Sequence, residues 1–342
     1  MAAVGVVLAV VVVLVGSNSA FAADATESLR SLPMAKAATS TVESSMTAPK
    51  AAVLGIVEGL TEYLPISSTG HLLVASGLMG LGTSEADIKA ANTYAIAIQF
   101  GAILAVAGLF WKRFRDMILG LVGRSDEGRH LLIILIVAFL PAAVLGFLFD
   151  DKIEEVLFSA WPIIGAWVVG GFGILYLERS GRIRRSSTDA DGSDTTSGLD
   201  PDSGVARRDP LLEITVRQAA LIGLIQCLAM WPGTSRSLAA ILGALLVGTT
   251  MAAAVEFSFL LGFVTLSAAS FYSVLKDGGN LVEQFGVINP LIGLFFAFIS
   301  AVAAIKWMVS YLQRNDMSIF GWYRIVAAGV TAGLVISGAL KF

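Results

Sequence analysis

The sequence predicts an all-α polytopic membrane protein that folds as an inverted-topology repeat. Each half is expected to contain one re-entrant helical hairpin and three transmembrane helices. Of the 342 residues, 56% are hydrophobic and only 14% are charged, with a mean hydropathy of +0.79, whereas soluble domains carry about 25% charged residues. Six apolar runs approach the ~20 residues that a helix needs to cross a bilayer. The pattern around Ala51 also recurs around Ala219, an offset of 168 residues.

The N-terminal segment, residues 1–22, is predicted to be a signal peptide or an N-terminal anchor. Its apolar run is too short to span a bilayer comfortably, and the small residues that end at Ala22 resemble a cleavage site. No lysine or arginine precedes Arg30, which keeps the anchor as an alternative. Residues 23–49 are rich in Ala, Ser and Thr without apolar periodicity, so we predict a disordered lead-in.

The first membrane repeat, residues 50–180, opens with two short apolar segments separated by a proline-initiated break. Neither segment, 51–64 or 68–80, crosses a bilayer easily by itself, so we predict that together they form a re-entrant hairpin. Glu58 and Glu62 are four residues apart and therefore share one helix face. Three apolar runs follow, at about 94–111, 131–149 and 161–178.

A polar tract then interrupts the apolar pattern. Residues 186–208 are rich in Ser, Asp, Gly and Thr, and we predict a disordered cytoplasmic linker over 181–210. The second membrane repeat, 211–342, contains Ala219–Trp231, which matches Ala51–Tyr63 position by position. A proline, small residues and another apolar segment follow in both copies. Three further runs lie at about 256–275, 290–311 and 320–341.

The orientation follows from the number of spans and from charge. Three spans per half is an odd number, so the second half must enter from the opposite face, with the broken helices meeting near the midplane. Lysine and arginine are concentrated in one set of loops, which we assign to the cytoplasm. The other set is mainly acidic, and both termini are then external. The basic loops run from Lys112 to Arg129, from Arg179 to Arg217, and around Arg314.

The two breaks carry the candidate chemistry. Ser67 and Ser68 lie where helix N-caps belong, so free N–H groups and the positive helix end face the gap, as in anion sites. The second break holds Ser235, Arg236 and Ser237 in the same place, and a guanidinium suits bidentate contacts with phosphate. Two plainer interpretations stay open: the hydroxyls only cap helices, and the arginine only pairs with a buried acid.

Acidic residues are present at the first break and absent from the equivalent positions of the second. Gln226 and Met230 stand where the first half has Glu58 and Glu62. An ionised side chain at bilayer depth costs roughly 3 kcal/mol on insertion scales. Two acids on one face therefore indicate a polar cavity, proton transfer or a bound cation, and oxygen ligands suit Mg²⁺ or Ca²⁺. Surface carboxylates on a soluble helix would not have such apolar surroundings.

Composition excludes several other kinds of site. A single cysteine, Cys227, excludes an intrachain disulfide and a cysteine-based metal cluster. Only two histidines occur, which excludes a multi-histidine metal site within one chain. His130 follows Arg129 at a predicted cytoplasmic edge and is expected to be interfacial rather than catalytic. The net charge of −3 gives no indication of a nucleic-acid partner.

The motif residues resemble those of a known family. The stretch EGLTEYLPISSTGHL, Glu58–Leu72, is similar to the signature of undecaprenyl-diphosphate phosphatases of the bacitracin-resistance type. The stretch PGTSRS, Pro232–Ser237, resembles the second signature of that family. Segments at Ile98–Val106 and Glu256–Leu261 are similar to further family segments, so the resemblance covers roughly residues 50–342.

The resemblance implies an integral enzyme of the bacterial cell membrane that removes the terminal phosphate of undecaprenyl diphosphate. This recycles the lipid carrier for peptidoglycan synthesis and is associated with bacitracin resistance. The substrate is then a polyprenyl diphosphate lipid, and the active site opens to the external face. The oligomeric state stays open, a homodimer included. The implied catalytic residues are Glu58, Glu62, Ser68 and His71, the diphosphate-binding residues are Ser67, Ser235, Arg236 and Ser237, and the candidate metal ligands are Glu58 and Glu62.

Several alternatives stay open at this point. Either Ser68 attacks phosphorus after activation by His71, or His71 activates water. Leu238-Ala-Ala240 stands where the family usually reads Gly-Ala-Thr, so one hydroxyl is missing here. The N-terminal extension and the acidic linker also depart from the family pattern. A secondary transporter for an anionic substrate would use similar repeats and a similar arginine, but the serine and histidine cluster favours the enzyme.

The topology can be tested by cysteine labelling in a Cys227→Ala background. Cysteines placed at Arg124 and Thr195 should be protected from an impermeant reagent added outside, because the basic loops are cytoplasmic. Cysteines at Asp87, Asp151 and Gly279 should react. Labelling of the Thr195 position from outside would overturn the assignment.

Overall fold

The computed structural model describes residues 46–81, 85–181 and 209–340. Within these ranges the chain is helical and contains no β-strand. The predicted leader, nearly all of the lead-in and most of the linker lie outside the described residues, so the domain boundaries stay predictions. The helices are α1 (Ala48–Thr61), α2 (Ser68–Leu78), α3 (Glu85–Leu109), α4 (Trp111–Leu121), α5 (Asp126–Leu157), α6 (Ala160–Arg179), α7 (Val216–Gln226), a 3₁₀ turn (Cys227–Met230), α8 (Arg236–Leu246), α9 (Met251–Phe285), α10 (Ile288–Leu312) and α11 (Ser318–Ile336).

In the described part of the chain, five helices are long and apolar enough to cross a membrane: α5, α6, α9, α10 and α11. Their apolar portions coincide with five of the six predicted runs. Many large apolar side chains on these helices are exposed, and hydrocarbon rather than water is the solvent that such a surface fits. The protein is therefore a multi-pass membrane protein. Examples of these exposed side chains are Phe147, Val169, Phe172, Leu291 and Val330.

The remaining predicted run, 94–111, ends in a sharp bend. The axes of α3 and α4 differ by 79°, with Phe110 between the two helices. Basic residues explain the change of direction, because Lys112, Arg113 and Arg115 fill the first turns of α4 and cannot extend an apolar span. The predicted run 94–111 thus corresponds to the apolar part of α3, and the bent pair of α3 and α4 counts as a sixth candidate span.

An ion-pair network attaches α4 to the second half. The Nε atom of Arg113 lies 2.7 Å from Oε1 of Glu256 in α9, and Nη2 lies 2.5 Å from Oδ2 of Asp209. Asp209 lies near the end of the predicted linker and is the first residue that the structure describes after Gly181. The network therefore connects the bend in the first half to the beginning of the second.

Each half begins with two short helices around a break, as predicted. These helices have 11 to 14 residues, fewer than the ~20 needed to span a bilayer, which suits a re-entrant hairpin. Ser67 and Ser235 precede α2 and α8 and have φ values of 74° and 76°. Such sparsely populated conformations cost about 1–3 kcal/mol each. Because the two serines are equivalent in the repeat, both halves build the same unusual turn.

Helices of each half pack against helices of the other half. α1 packs against α10 and its counterpart α7 packs against α5, while α3 pairs with α9 and α6 pairs with α11. Small residues permit the close contacts: a Cβ on Gly55 would lie 2.2 Å from the carbonyl oxygen of Gly293, and one on its repeat equivalent Gly223 would lie 2.3 Å from that of Ala138. The insertion of the halves in opposite orientations stays a prediction.

The contact at Gly55 can be tested by enlarging the side chain. Gly55→Leu should destabilise the protein by about 1–3 kcal/mol, because the new side chain meets the backbone of α10. Gly146→Leu is the matched control, since a Cβ at Gly146 meets no atom within 4 Å among the described residues. Heating in detergent, followed by size-exclusion chromatography of the monodisperse fraction, measures the difference. Equal stability of the two variants would contradict the close packing of α1 on α10.

Candidate active site

The carboxylates near the end of α1 lie in the protein interior. Glu58 is 1% exposed, and Glu62 is also buried. Among the described residues, neither carboxylate oxygen of Glu58 has a hydrogen-bond partner. A buried unpaired carboxylate is costly unless a proton or a cation compensates its charge. Glu58 is thus available to bind a proton or a cation.

Glu62 connects the two halves of the protein. Its Oε1 atom accepts a hydrogen bond of 2.9 Å from Nη2 of Arg236, and this ion pair joins residues 174 positions apart. Its Oε2 atom accepts a hydrogen bond from the hydroxyl of Ser68. A carboxylate in this position can take the hydroxyl proton when the serine oxygen attacks. A candidate base, nucleophile and phosphate-binding cation are therefore in direct contact.

The guanidinium of Arg236 is held on several sides by α9 and by the first break. Nη1 donates to the hydroxyl of Thr265 at 2.9 Å. Gly262 leaves the necessary room, because a Cβ there would lie 2.2 Å from Nη1. The guanidinium carbon is 5.8 Å from the ring centroid of Tyr63, within the range of a cation–π contact. Nε has no hydrogen-bond partner among the residues described, so one donor is unused.

His71 uses both ring nitrogens in contacts near the first break. Nδ1 lies 2.6 Å from the carbonyl oxygen of Ser67, and Nε2 lies 2.7 Å from the hydroxyl of Tyr323 in α11. The ring is stacked on Tyr323 and tilted against Trp167, with centroid distances of 5.6 and 4.8 Å. The hydroxyl of Ser68 donates to Glu62 and not to His71. The geometry therefore pairs the serine with a carboxylate rather than with the imidazole.

The serines of the second break bond to the first break. Ser237 donates to the carbonyl oxygen of Leu64 at 2.9 Å. Ser235 lies 2.9 Å from Ser237, hydroxyl to hydroxyl, and accepts from the backbone N–H of Leu238, which caps α8. These hydroxyls thus stabilise the junction of the two breaks. Ser235 therefore caps α8 but does more than cap it, while Ser67 makes no side-chain cap.

Arg324 joins both breaks to α6. It is 0% exposed and donates from Nη1 to the carbonyl oxygen of Pro65 at 3.3 Å and from Nη2 to that of Gly233 at 2.8 Å. It also donates to the carbonyl oxygens of Ala166 and Trp167. No carboxylate of the described residues forms an ion pair with it. A single guanidinium therefore satisfies backbone carbonyls from both halves, and no acid among the described residues pairs with its charge.

The acidic pair fits one mode of cation binding. Across residues 46–81, 85–181 and 209–340, no three His, Cys, Asp or Glu side chains form a metal-binding group. Mg²⁺ is often held by only one or two carboxylates together with phosphate oxygens and water. The two free oxygens of Glu58 are suitable ligands of this kind, with Glu62 one helical turn away.

Residues 51–330 match the family described as bacitracin resistance protein BacA. The chain belongs to this family. A relative named undecaprenyl-diphosphatase from Polaromonas sp. is 40% identical over 293 residues, covering 86% of this chain and 97% of the relative. One from Sorangium cellulosum is 38% identical over 285 residues, covering 83% and 85%. Undecaprenyl-diphosphatase 3 from Acinetobacter baylyi is 38% identical over 277 residues, covering 81% and 94%.

In this BacA-family protein, the predicted site residues do not all contact one another. Glu62, Ser68 and Arg236 are brought into contact, whereas His71 lies beside them with other partners. The second histidine, His130, bonds through Nε2 to the carbonyl oxygen of Ile214 at 2.9 Å, outside this cluster.

Several further residues of the site were not predicted from the sequence. Arg324 could have been found, because it is a charge inside the apolar run 320–341, the same signal that identified the two acids. An aromatic residue in an apolar helix gives no comparable signal. The other missed residues are Tyr63, Trp167, Gly262, Thr265 and Tyr323.

The junction at Arg324 can be tested separately from catalysis. Arg324→Lys keeps the charge but cannot reach four carbonyl groups from two breaks and α6, so the protein should lose stability by at least the ~1–3 kcal/mol of one unsatisfied buried acceptor. Arg314→Lys, at an exposed position, is the matched control. Thermal aggregation in detergent measures both variants. If Arg324→Lys aggregates at the same temperature as wild type, the guanidinium does not hold the breaks together.

Proposed function

We propose that the chain hydrolyses undecaprenyl diphosphate to undecaprenyl phosphate and inorganic phosphate. This activity recycles the lipid carrier of cell-wall synthesis and underlies the family's connection with bacitracin resistance. Relatives that carry the undecaprenyl-diphosphatase name match nearly the whole membrane part of the chain. The observation that carries the proposal is the contact of Ser68 and Arg236 with one buried carboxylate, Glu62. The transporter alternative is not favoured.

The diphosphate is bound between the two breaks in this proposal. The first turns of α2 and α8 present backbone N–H groups and positive helix ends to an anion. Arg236 has one unused donor and can turn its fork from Glu62 toward phosphate oxygens, which form bidentate bonds with guanidinium. The buried charge of Arg324 adds to the positive potential without contacting the lipid. Phosphoryl transfer depends mainly on such positioning and charge stabilisation.

The first chemical step is attack by Ser68 on the terminal phosphorus. A bond forms between Oγ and phosphorus while the bond from phosphorus to the bridging oxygen breaks, and the electron pair leaves with undecaprenyl phosphate. The proton of the hydroxyl passes to Oε2 of Glu62, which already accepts its hydrogen bond. The product of this step is a phosphoserine.

Water completes the reaction. The water oxygen bonds to phosphorus, the bond from phosphorus to Oγ breaks, and Glu62 returns its proton to the serine. His71, the other acid–base group of the site, accepts the proton that the water loses. A direct attack by water, with Ser68 only as a hydrogen-bond donor, is the alternative that the Ser68→Ala variant separates.

A divalent cation fits this scheme at Glu58 and Glu62. It would neutralise charge on the transferred phosphoryl group when bound. Glu58 would contribute its two free oxygens, and Glu62 would retain its contact with Ser68. We also propose that the site opens to the external face, as the distribution of basic loops indicates. The lipid diphosphate would then reach the site from the bilayer.

The catalytic proposal predicts release of inorganic phosphate by the purified protein from a polyprenyl diphosphate in detergent. Glu62→Gln should reduce turnover strongly, because it removes the proton acceptor while keeping the shape. Arg236→Lys should also fail, since an ammonium lacks the planar fork. Loss of a nucleophile in Ser68→Ala should reduce the rate by several orders of magnitude, whereas loss of one hydrogen bond should cost about tenfold.

Matched controls for these variants are available at exposed positions. Glu213→Gln and Arg217→Lys make the same chemical changes outside the site and should retain wild-type activity. His130→Ala should also have little effect, because its contact is with Ile214. Absence of phosphate release by wild type across varied lipids and divalent ions would overturn the proposed function.

A further inference from the structure

Tyr323 contacts the proposed acid–base group although it lies 252 residues away in the chain. Its hydroxyl is 2.7 Å from Nε2 of His71, and the two rings are stacked with an interplanar angle of 13°. Tyr323 is 43% exposed, whereas Glu62 is buried. The histidine and tyrosine pair therefore lies at the open edge of the site.

The position of one proton on His71 follows from its neighbours. Nδ1 lies 2.6 Å from the carbonyl oxygen of Ser67, and a carbonyl oxygen can only accept a hydrogen bond. Nδ1 must therefore carry a hydrogen. In the neutral ring Nε2 then has the lone pair, and the hydroxyl of Tyr323 donates to it.

His130 shows the opposite arrangement within the same chain. Its Nε2 atom lies 2.9 Å from the carbonyl oxygen of Ile214, so Nε2 carries the hydrogen. The two histidines of the protein thus hold opposite tautomers in their neutral forms. Each histidine can therefore serve as an internal reference when the tautomer of the other is measured.

The Tyr323 hydroxyl is held in place by the rest of α11. The next residue, Arg324, is bonded to both breaks and to α6. The other side of the imidazole contacts Trp167, and Gly70 permits that contact because a Cβ there would lie 2.5 Å from the indole. The imidazole therefore contacts a tyrosine, an indole and a backbone carbonyl.

We propose that Tyr323 is a positioning residue that, together with the Ser67 carbonyl, fixes His71 as the Nδ1–H tautomer with Nε2 as its proton-accepting nitrogen. The proposal rests on the proposed function for its catalytic consequence only. A tyrosine hydroxyl donates to the neutral ring and accepts from the charged ring. When Nε2 takes up a proton, the Tyr323 hydroxyl turns to accept a hydrogen bond from the charged ring, so the ring gains and loses a proton without reorienting.

Nitrogen NMR of the full chain in detergent tests the tautomer directly. With ¹⁵N-labelled histidine in mildly alkaline solution, His71 should give a protonated Nδ1 and an unprotonated, hydrogen-bonded Nε2. His130 should give the reverse, and His130→Gln assigns the signals. Tyr323→Phe, which keeps the stacked ring, should move the Nε2 signal of His71 toward its value without a hydrogen bond. A protonated Nε2 in neutral His71, or an unchanged signal in Tyr323→Phe, would overturn the proposal.

Kinetics test whether the tyrosine acts through the histidine. Tyr323→Phe should lower kcat about tenfold with little change in KM, whereas Tyr176→Phe, at an exposed tyrosine of α6, should change neither. In a His71→Gln background, Tyr323→Phe should have no further effect beyond about twofold, because interacting residues are not additive. Additive losses would show that Tyr323 acts elsewhere. An inactive wild type with the expected NMR signals would instead contradict only the proposed function.

Discussion

The ion pair between Glu62 and Arg236 is the contact on which the rest of the site depends. It joins the two halves of the chain inside an apolar interior, where removal of one partner from a buried pair typically costs ~3–5 kcal/mol. The same ion pair neutralises the arginine that is proposed to bind phosphate. In the proposed function an anionic substrate replaces the carboxylate at Arg236, and the displaced carboxylate is the group that accepts the hydrogen bond of Ser68. In the proposed reaction, substrate binding and the release of a base are consequences of the same exchange.

The turns around this pair are strained and need support. Ser67 and Ser235 occupy unusual backbone conformations, and the breaks that contain them leave carbonyl groups without helical partners. Arg324 binds carbonyl oxygens from both breaks, and Ser237 binds that of Leu64. These contacts determine the separation of the two helix N-termini. Geometry at the reacting atoms thus depends on side chains that need not touch the lipid.

Local patterns predicted most of the fold. The spans, the two breaks and the equivalence of the halves follow from hydrophobic runs and from a repeat that is visible in the letters. The bend at Phe110 was harder to predict, because the apolar run before it and the basic residues after it were considered separately. The long-range pairing of Arg236 with a buried acid was among the interpretations that the sequence offered, whereas the long-range contacts of Arg324 and Tyr323 were not predicted.

The side-chain contacts of the site were harder to predict from the sequence than the helices were. Ser68 and His71 are three residues apart, and activation of the serine by the histidine was one of two predicted alternatives. In the structure the serine turns toward Glu62, while the imidazole bonds to the carbonyl oxygen of Ser67. Ser67, whose carbonyl the imidazole contacts, has an unusual φ, and the other ring nitrogen contacts the hydroxyl of Tyr323. Neither a backbone angle nor a partner from the last helix can be read from helical spacing. Arg324 is different, since an unexplained charge in an apolar run is a signal in itself.

The repeat has one further consequence, which concerns symmetry. Ser68 and Arg236 occupy the same position in their respective halves, directly after the equivalent serines 67 and 235. A homodimer of a single half would place identical residues at both positions, as any two-fold symmetric assembly must. Such an assembly would have two nucleophiles without the arginine, or two arginines without the nucleophile. Only halves that are free to differ in sequence, as the two are within this chain, can place a serine at one of these equivalent positions and an arginine at the other.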